Sequence, residues 1–129
     1  MLLAGCTVVY LLKSARIPKD ALTITRMYVL KRRILAYARA NNRLPSSVSV
    51  LPEIEGYDNN VVDAWGNAFL VNIEGENVVT ISSLGTDGKP GGTGLASDRT
   101  CAFPTKDDAG KWFGDECPWI RNPDESLKR

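Results

Sequence analysis

Histidine is absent from the 129 residues, and with it go the commonest general base, the usual partner of a nucleophilic Ser or Cys, and the commonest transition-metal ligand. Most hydrolase mechanisms are thereby disfavoured. An excess of charge of one sign is also missing: 16 basic and 15 acidic residues leave a formal net charge of +1, which argues against nucleic acid as a partner. Long apolar runs are lacking too. Residues Leu2 to Leu12 are almost wholly apolar, but crossing the roughly 30 Å hydrocarbon core takes about 20 helical residues. Cysteine is scarce, and the three present divide as two plus one, with Cys101 and Cys117 near the C-terminus and Cys6 alone. The pair reads either as a disulfide formed in an oxidising compartment, worth roughly 3 kcal/mol in the chain-entropy model, or as two buried thiols. Without histidine, three cysteines would need a carboxylate to complete a zinc site.

The N-terminal residues 1–17 are read as a membrane-proximal segment whose natural beginning lies upstream of Met1. Leu3-Ala-Gly-Cys6 has the form of a bacterial lipobox, in which Cys6 would be acylated; the other reading is a stretch of transmembrane helix that happens to spell it. Either places the chain at the cell envelope. Residues 18–129 are the length of one domain.

Pro18 and Asp20 suit a helix start, through preset φ and the helix dipole respectively. Ile24, Met27, Leu30, Ile34, Tyr37 and Ala38, joined by Tyr28 and Leu35, then recur at spacings of three and four and form an apolar stripe. Lys31, Arg32, Arg33, Arg39 and Arg43 fall mostly off it, which makes them either a solvated face or a basic surface for neighbouring subunits or anionic lipid. Asn41-Asn42-Arg43-Leu44-Pro45 ends the helix, since Asn tolerates a left-handed C-cap and Pro cannot continue. Asp63-Ala-Trp-Gly-Asn-Ala68 reads as a corner, with Trp65 as apolar anchor, Gly66 and Asn67 permitting positive φ, and Asp63 accepting main-chain N–H bonds. Ala68 to Ile73 and Val78 to Ser82 form a hairpin around Glu74-Gly-Glu-Asn77. Leu84 to Asp98 is rich in glycine, hydroxyls and aspartate, a composition that turns carbonyls inward and suits a hard cation. Trp112, Phe113 and Trp119 either cover the sheet or form a contact surface, and residues beyond Arg121 read as a loose tail. Gly88-Lys89 is followed by Pro90 and is no phosphate-binding loop, and Gly92-x-Gly94-x-x-Ser97 is an incomplete dinucleotide fingerprint.

A helix, then Asp63-x-Trp-Gly-Asn67, a hairpin, and Ser83-Leu-Gly-Thr-Asp-Gly-Lys-Pro-Gly-Gly92 together resemble the major pseudopilin family of bacterial type II secretion systems, over roughly residues 18–92. The resemblance implies an α+β fold, with a long N-terminal helix on a small antiparallel sheet of about three strands, and a disulfide-stapled C-terminal segment is expected to follow. It implies a non-catalytic structural subunit of a pseudopilus or related assembly. Such a subunit is membrane-anchored through its N-terminal segment, has its domain in the periplasm, and packs helix to helix against further copies and other secretion-system components. It also implies calcium in the Gly-rich loop, held by the carbonyls of Leu84 and Lys89 and the carboxylate of Asp87. The family carries two adjacent acidic residues after the glycines, where this chain reads Thr93-Gly-Leu-Ala96, so Asp98 is the nearest substitute; Asp107 and Asp108 could join only if a bridge brought them back. The glycine cleavage site followed by Phe-Thr-Leu-x-Glu that the family shows is not among these residues. A second reading is therefore a lipid-anchored periplasmic binding or adaptor protein that keeps the domain and forms no filament. A third, an envelope enzyme using Asp87 or Asp98, would require a deep acidic pocket.

Overall fold

A computed structural model describes residues 17–75 and 77–124; the apolar run and Cys6 lie outside the described residues. Helix α1 spans Lys19–Asn41. Pro18 occupies its N-cap, one position before the first turn, and its carbonyl accepts the Leu22 N–H at 3.0 Å. Asn42 closes the helix in the left-handed conformation, at φ 53°, the cap expected from its short polar side chain. No helix among the described residues is long and apolar enough to cross a membrane.

Three strands follow, β1 (Leu70–Glu74), β2 (Val78–Ser83) and β3 (Arg99–Pro104), paired antiparallel in the order β1-β2-β3. The hairpin begins two residues later than its sequence pattern suggested, because Ala68 is still engaged in a bridge to Val62. On β2 and β3 the side chains alternate between buried and half-buried, as a pleated strand with one covered face requires. The buried set, Val79, Ile81, Cys101 and Phe103, meets Met27, Leu30, Ile34 and Leu35 of α1 in one core cluster. Each such fully buried aliphatic or aromatic side chain contributes about 1.5–3 kcal/mol.

The expected Cys101–Cys117 bridge is not part of this fold. Both residues are buried free thiols: Cys101 points into the core from β3, while the Cys117 Sγ donates to the Pro104 carbonyl at 3.2 Å. Main-chain bonds hold the C-terminal segment instead, with bridges pairing Ala102 with Arg121 and Lys106 with Trp112. Trp119 stands edge-on to Phe103 at 5.9 Å and to Tyr28 at 5.1 Å, and both it and Phe113 pack against the core.

The helix cations are not a solvated face. Lys31 and Arg33 are buried. Arg33 donates to the carbonyls of Leu51, Pro52 and Asn59, and Arg26 to those of Val62 and Asp63. Lys31 donates to the Cys117 carbonyl and lies 4.0 Å from the Trp119 ring centroid, Arg32 pairs with Asp115 at 3.3 Å, and Arg39 donates to the Phe113 carbonyl at 2.8 Å. One side of α1 thus grips the 51–63 crossover and another grips the 112–119 segment. Arg39 and Arg43 are exposed, and Arg43 makes no such bond among the described residues.

Candidate functional site

The two sequence motifs form a single structural unit. Asp63 is 1% exposed. Its Oδ1 accepts the main-chain N–H of Trp65 at 3.0 Å and of Asn67 at 2.9 Å, and its Oδ2 accepts the Ser83 hydroxyl at 2.7 Å. The corner turns on Gly66, at φ +89°, a conformation that an L side chain resists. Asn67 then reaches the Gly-rich loop, donating from Nδ2 to the Gly85 carbonyl at 3.0 Å. Thr23 of α1, fully buried, accepts the Ala64 N–H at 3.0 Å. Helix, corner, end of β2 and start of the loop are thereby joined by side chains of Thr23, Asp63, Asn67 and Ser83.

The loop folds back against its own beginning. The Thr86 N–H donates to the Leu95 carbonyl at 3.0 Å. At Gly85 a Cβ would lie 2.7 Å from the Leu95 oxygen and 2.8 Å from that of Ser97, so only glycine allows this closure. Arg99, the first residue of β3 and 3% exposed, closes the far end. Its Nη2 lies 2.8 Å from Asp20 Oδ1 and 3.3 Å from the Gly94 carbonyl, its Nη1 donates to the Ser97 carbonyl, and its Cζ stands 5.6 Å from the Trp65 ring centroid. Arg99 Nε is buried without a hydrogen-bond partner among the described residues.

Asp87 and Asp98 are exposed on this loop, and Leu84 and Lys89 flank its first turn. The Asp87 carboxylate accepts the Lys89 N–H at 3.0 Å, and both Asp98 oxygens accept the Gly91 N–H, at 3.1 and 3.2 Å. Calcium asks for roughly six to eight oxygens around one point. Here the carbonyls of Gly94 and Ser97 face a guanidinium, those of Gly85 and Leu95 face N–H donors, and the two aspartates cap main-chain turns. No three His, Cys, Asp or Glu side chains among the described residues converge as a metal site. These oxygens are thus already engaged by donors of the chain itself.

Sequence reasoning found the corner and the loop but missed Arg99, Thr23 and the roles of Arg26 and Arg33. Arg99 left one signal, a charged residue at an inward position of an alternating strand. Arg26 and Arg33 lie one heptad apart and so share a helix face, a weak signal on a helix with several other cations.

A long helix laid on a three-stranded antiparallel sheet, with a tryptophan corner tied to a glycine-rich loop, gives the chain an α+β architecture. The family model for type II secretion system protein G matches residues 11–101. That is over two thirds of the chain, which belongs to this family of major pseudopilins. Family membership places it at the cell envelope as a component of type II secretion. Comparison with curated proteins returned no match, and comparison with solved structures returned none either.

Proposed function

We propose that the chain is a non-catalytic structural subunit of a type II secretion pseudopilus, with its domain on the periplasmic side of the inner membrane and other pseudopilin copies as its immediate neighbours. The family match over residues 11–101 carries this reading. The structure supports it through rigidity: the buried Asp63 corner fixes the helix, the hairpin and the loop to one another, as a subunit that transmits contacts along a filament requires. The chemistry of a catalytic site is not needed for that task, and Asp87 and Asp98 serve turns on the surface.

Deletion of the gene tests the proposal. Export of type II substrates across the outer membrane should stop while their delivery to the periplasm continues, and the full-length chain should restore it. Cysteine-specific crosslinking between copies, with single cysteines placed along the exposed face of α1, should yield a ladder of multimers. Unimpaired export in the deletion strain, with fatty-acid label incorporated at Cys6, would instead favour the lipid-anchored adaptor.

A further inference from the structure

We propose that Arg99 is a built-in cation of the glycine-rich loop: its guanidinium supplies from within the chain the positive charge around which the loop's oxygens gather, so the order of the loop does not depend on bound calcium. A guanidinium only 3% exposed is costly to bury unless opposing charge and acceptors surround it. Those partners come from separate stretches of the chain. Asp20 belongs to the first turn of α1, Trp65 to the corner, and Gly94 and Ser97 to the last turn of the loop. A planar fork with five N–H donors is suited to several acceptors in fixed directions.

From Arg99 the order passes along the loop through contacts already described. The turn it holds contains Leu95, whose carbonyl receives the Thr86 N–H, and Thr86 adjoins Gly85, whose carbonyl receives the Asn67 side chain. The guanidinium therefore fastens one end of the loop to the helix while Asn67 fastens the other to the corner. A divalent ion brought to the Gly94 and Ser97 oxygens would meet a fixed positive charge, and the Asp20 carboxylate is already paired with that charge. The loop also lacks carboxylates over Thr93-Gly-Leu-Ala96, where a calcium site would gain by having them.

Hydrogen exchange of the full chain, read by mass spectrometry on peptides covering residues 84–98, tests the inference. In wild type the exchange of this stretch and the melting temperature should be the same in millimolar calcium and in chelator. Arg99→Gln should speed exchange of the stretch by about tenfold or more in both conditions, since a segment stripped of its anchor opens locally. Arg99→Lys should restore protection only in part, because one ammonium cannot bridge the same acceptors. Should Arg99→Gln fail to fold, Asp20→Asn replaces it: faster loop exchange with the sheet still protected is expected. Slower loop exchange in wild type on adding calcium overturns the inference, and so does loop exchange that neither Arg99→Gln nor Asp20→Asn alters.

Discussion

Asp63 is a carboxylate whose two oxygens serve three donors in a place where water does not reach. Removing it strands the Trp65 and Asn67 N–H groups and the Ser83 hydroxyl at once. Asp63→Ala is therefore expected to cost roughly 2–4 kcal/mol, since each buried group left unpaired carries a desolvation penalty. Urea denaturation gives the measurement, and a loss below about 1 kcal/mol would mean that the corner relaxes around the gap. Cys101 poses a different question at the same scale. Burial is the largest influence on its thiol and pushes it up to about 12, against an ordinary value of 9.0. Cys117 is shifted in the same direction, again chiefly by burial. Thiolate is the reactive form, so both residues should resist maleimide at neutral pH in the folded chain and react fully in denaturant. A non-reduced mass two protons below that of the reduced chain would contradict the free-thiol arrangement.

At the scale of elements, α1 acts as a clamp as much as a core-facing helix. Arg33 serves three carbonyls of the crossover, so Arg33→Met should keep the helix and the stem's packing while freeing residues 51–59. Faster cleavage there in limited proteolysis, with the sheet unaffected, is the expected result. Nearby, burial pushes the Asp58 carboxyl up, yet bonds from Arg26 and Asn60 outweigh it and hold the carboxyl below its ordinary 3.8. A carboxyl depressed in the fold binds fewer protons there than in the unfolded chain. Its stabilisation is thus complete above the ordinary value and is lost as pH falls through the lower, folded one. Asp58→Asn should flatten that part of the acid denaturation curve, and an unchanged curve would show that Arg26 stabilises the crossover through Val62 and Asp63 alone. The helix and the hairpin were legible in the sequence, since the stripe from Ile24 to Ala38, the Asn42 cap and the hairpin all follow from periodicity and turn chemistry, whereas β3 was not placed. The clamp was not, because a cation off the apolar stripe looks the same whether it meets water or a carbonyl from another stretch. Asp63 and Gly66 could be read locally, whereas the Asp63–Ser83 and Arg99–Asp20 contacts depend on how the chain returns on itself.

The whole molecule is closed by the segment after β3, which takes the position that sequence left open between a covering layer and a contact surface. Trp119 meets Phe103 and Tyr28 edge-on, Lys31 is covered by the Trp119 face and bonded to the Cys117 carbonyl, and Ala102 exchanges main-chain bonds with Ile120 and Arg121. Without that cover, Phe103 would lose its outer neighbour and β3 its second partner. Lys31 would change role as well: burial now pushes its ammonium below the ordinary lysine value, and exposure would return it to water. The losses oppose one another, since releasing a buried cation is favourable while uncovering aromatic surface is not. Magnitudes decide the outcome. Two edge-on aromatic pairs contribute about 0.5–1.5 kcal/mol each beyond the area they bury, and the covered rings and main-chain bonds add to that. Together they are a large part of the roughly 5–15 kcal/mol by which a domain of this size is stable. A chain ending at Pro104 should therefore unfold at much lower urea concentration or fail to fold, although it keeps α1, the corner, all three strands and the loop. The single substitution Trp119→Ala should lie between that chain and wild type. Equal stability of the shortened and full-length chains would show that helix and sheet form a self-sufficient core, and that the segment is an appendage free to meet another subunit.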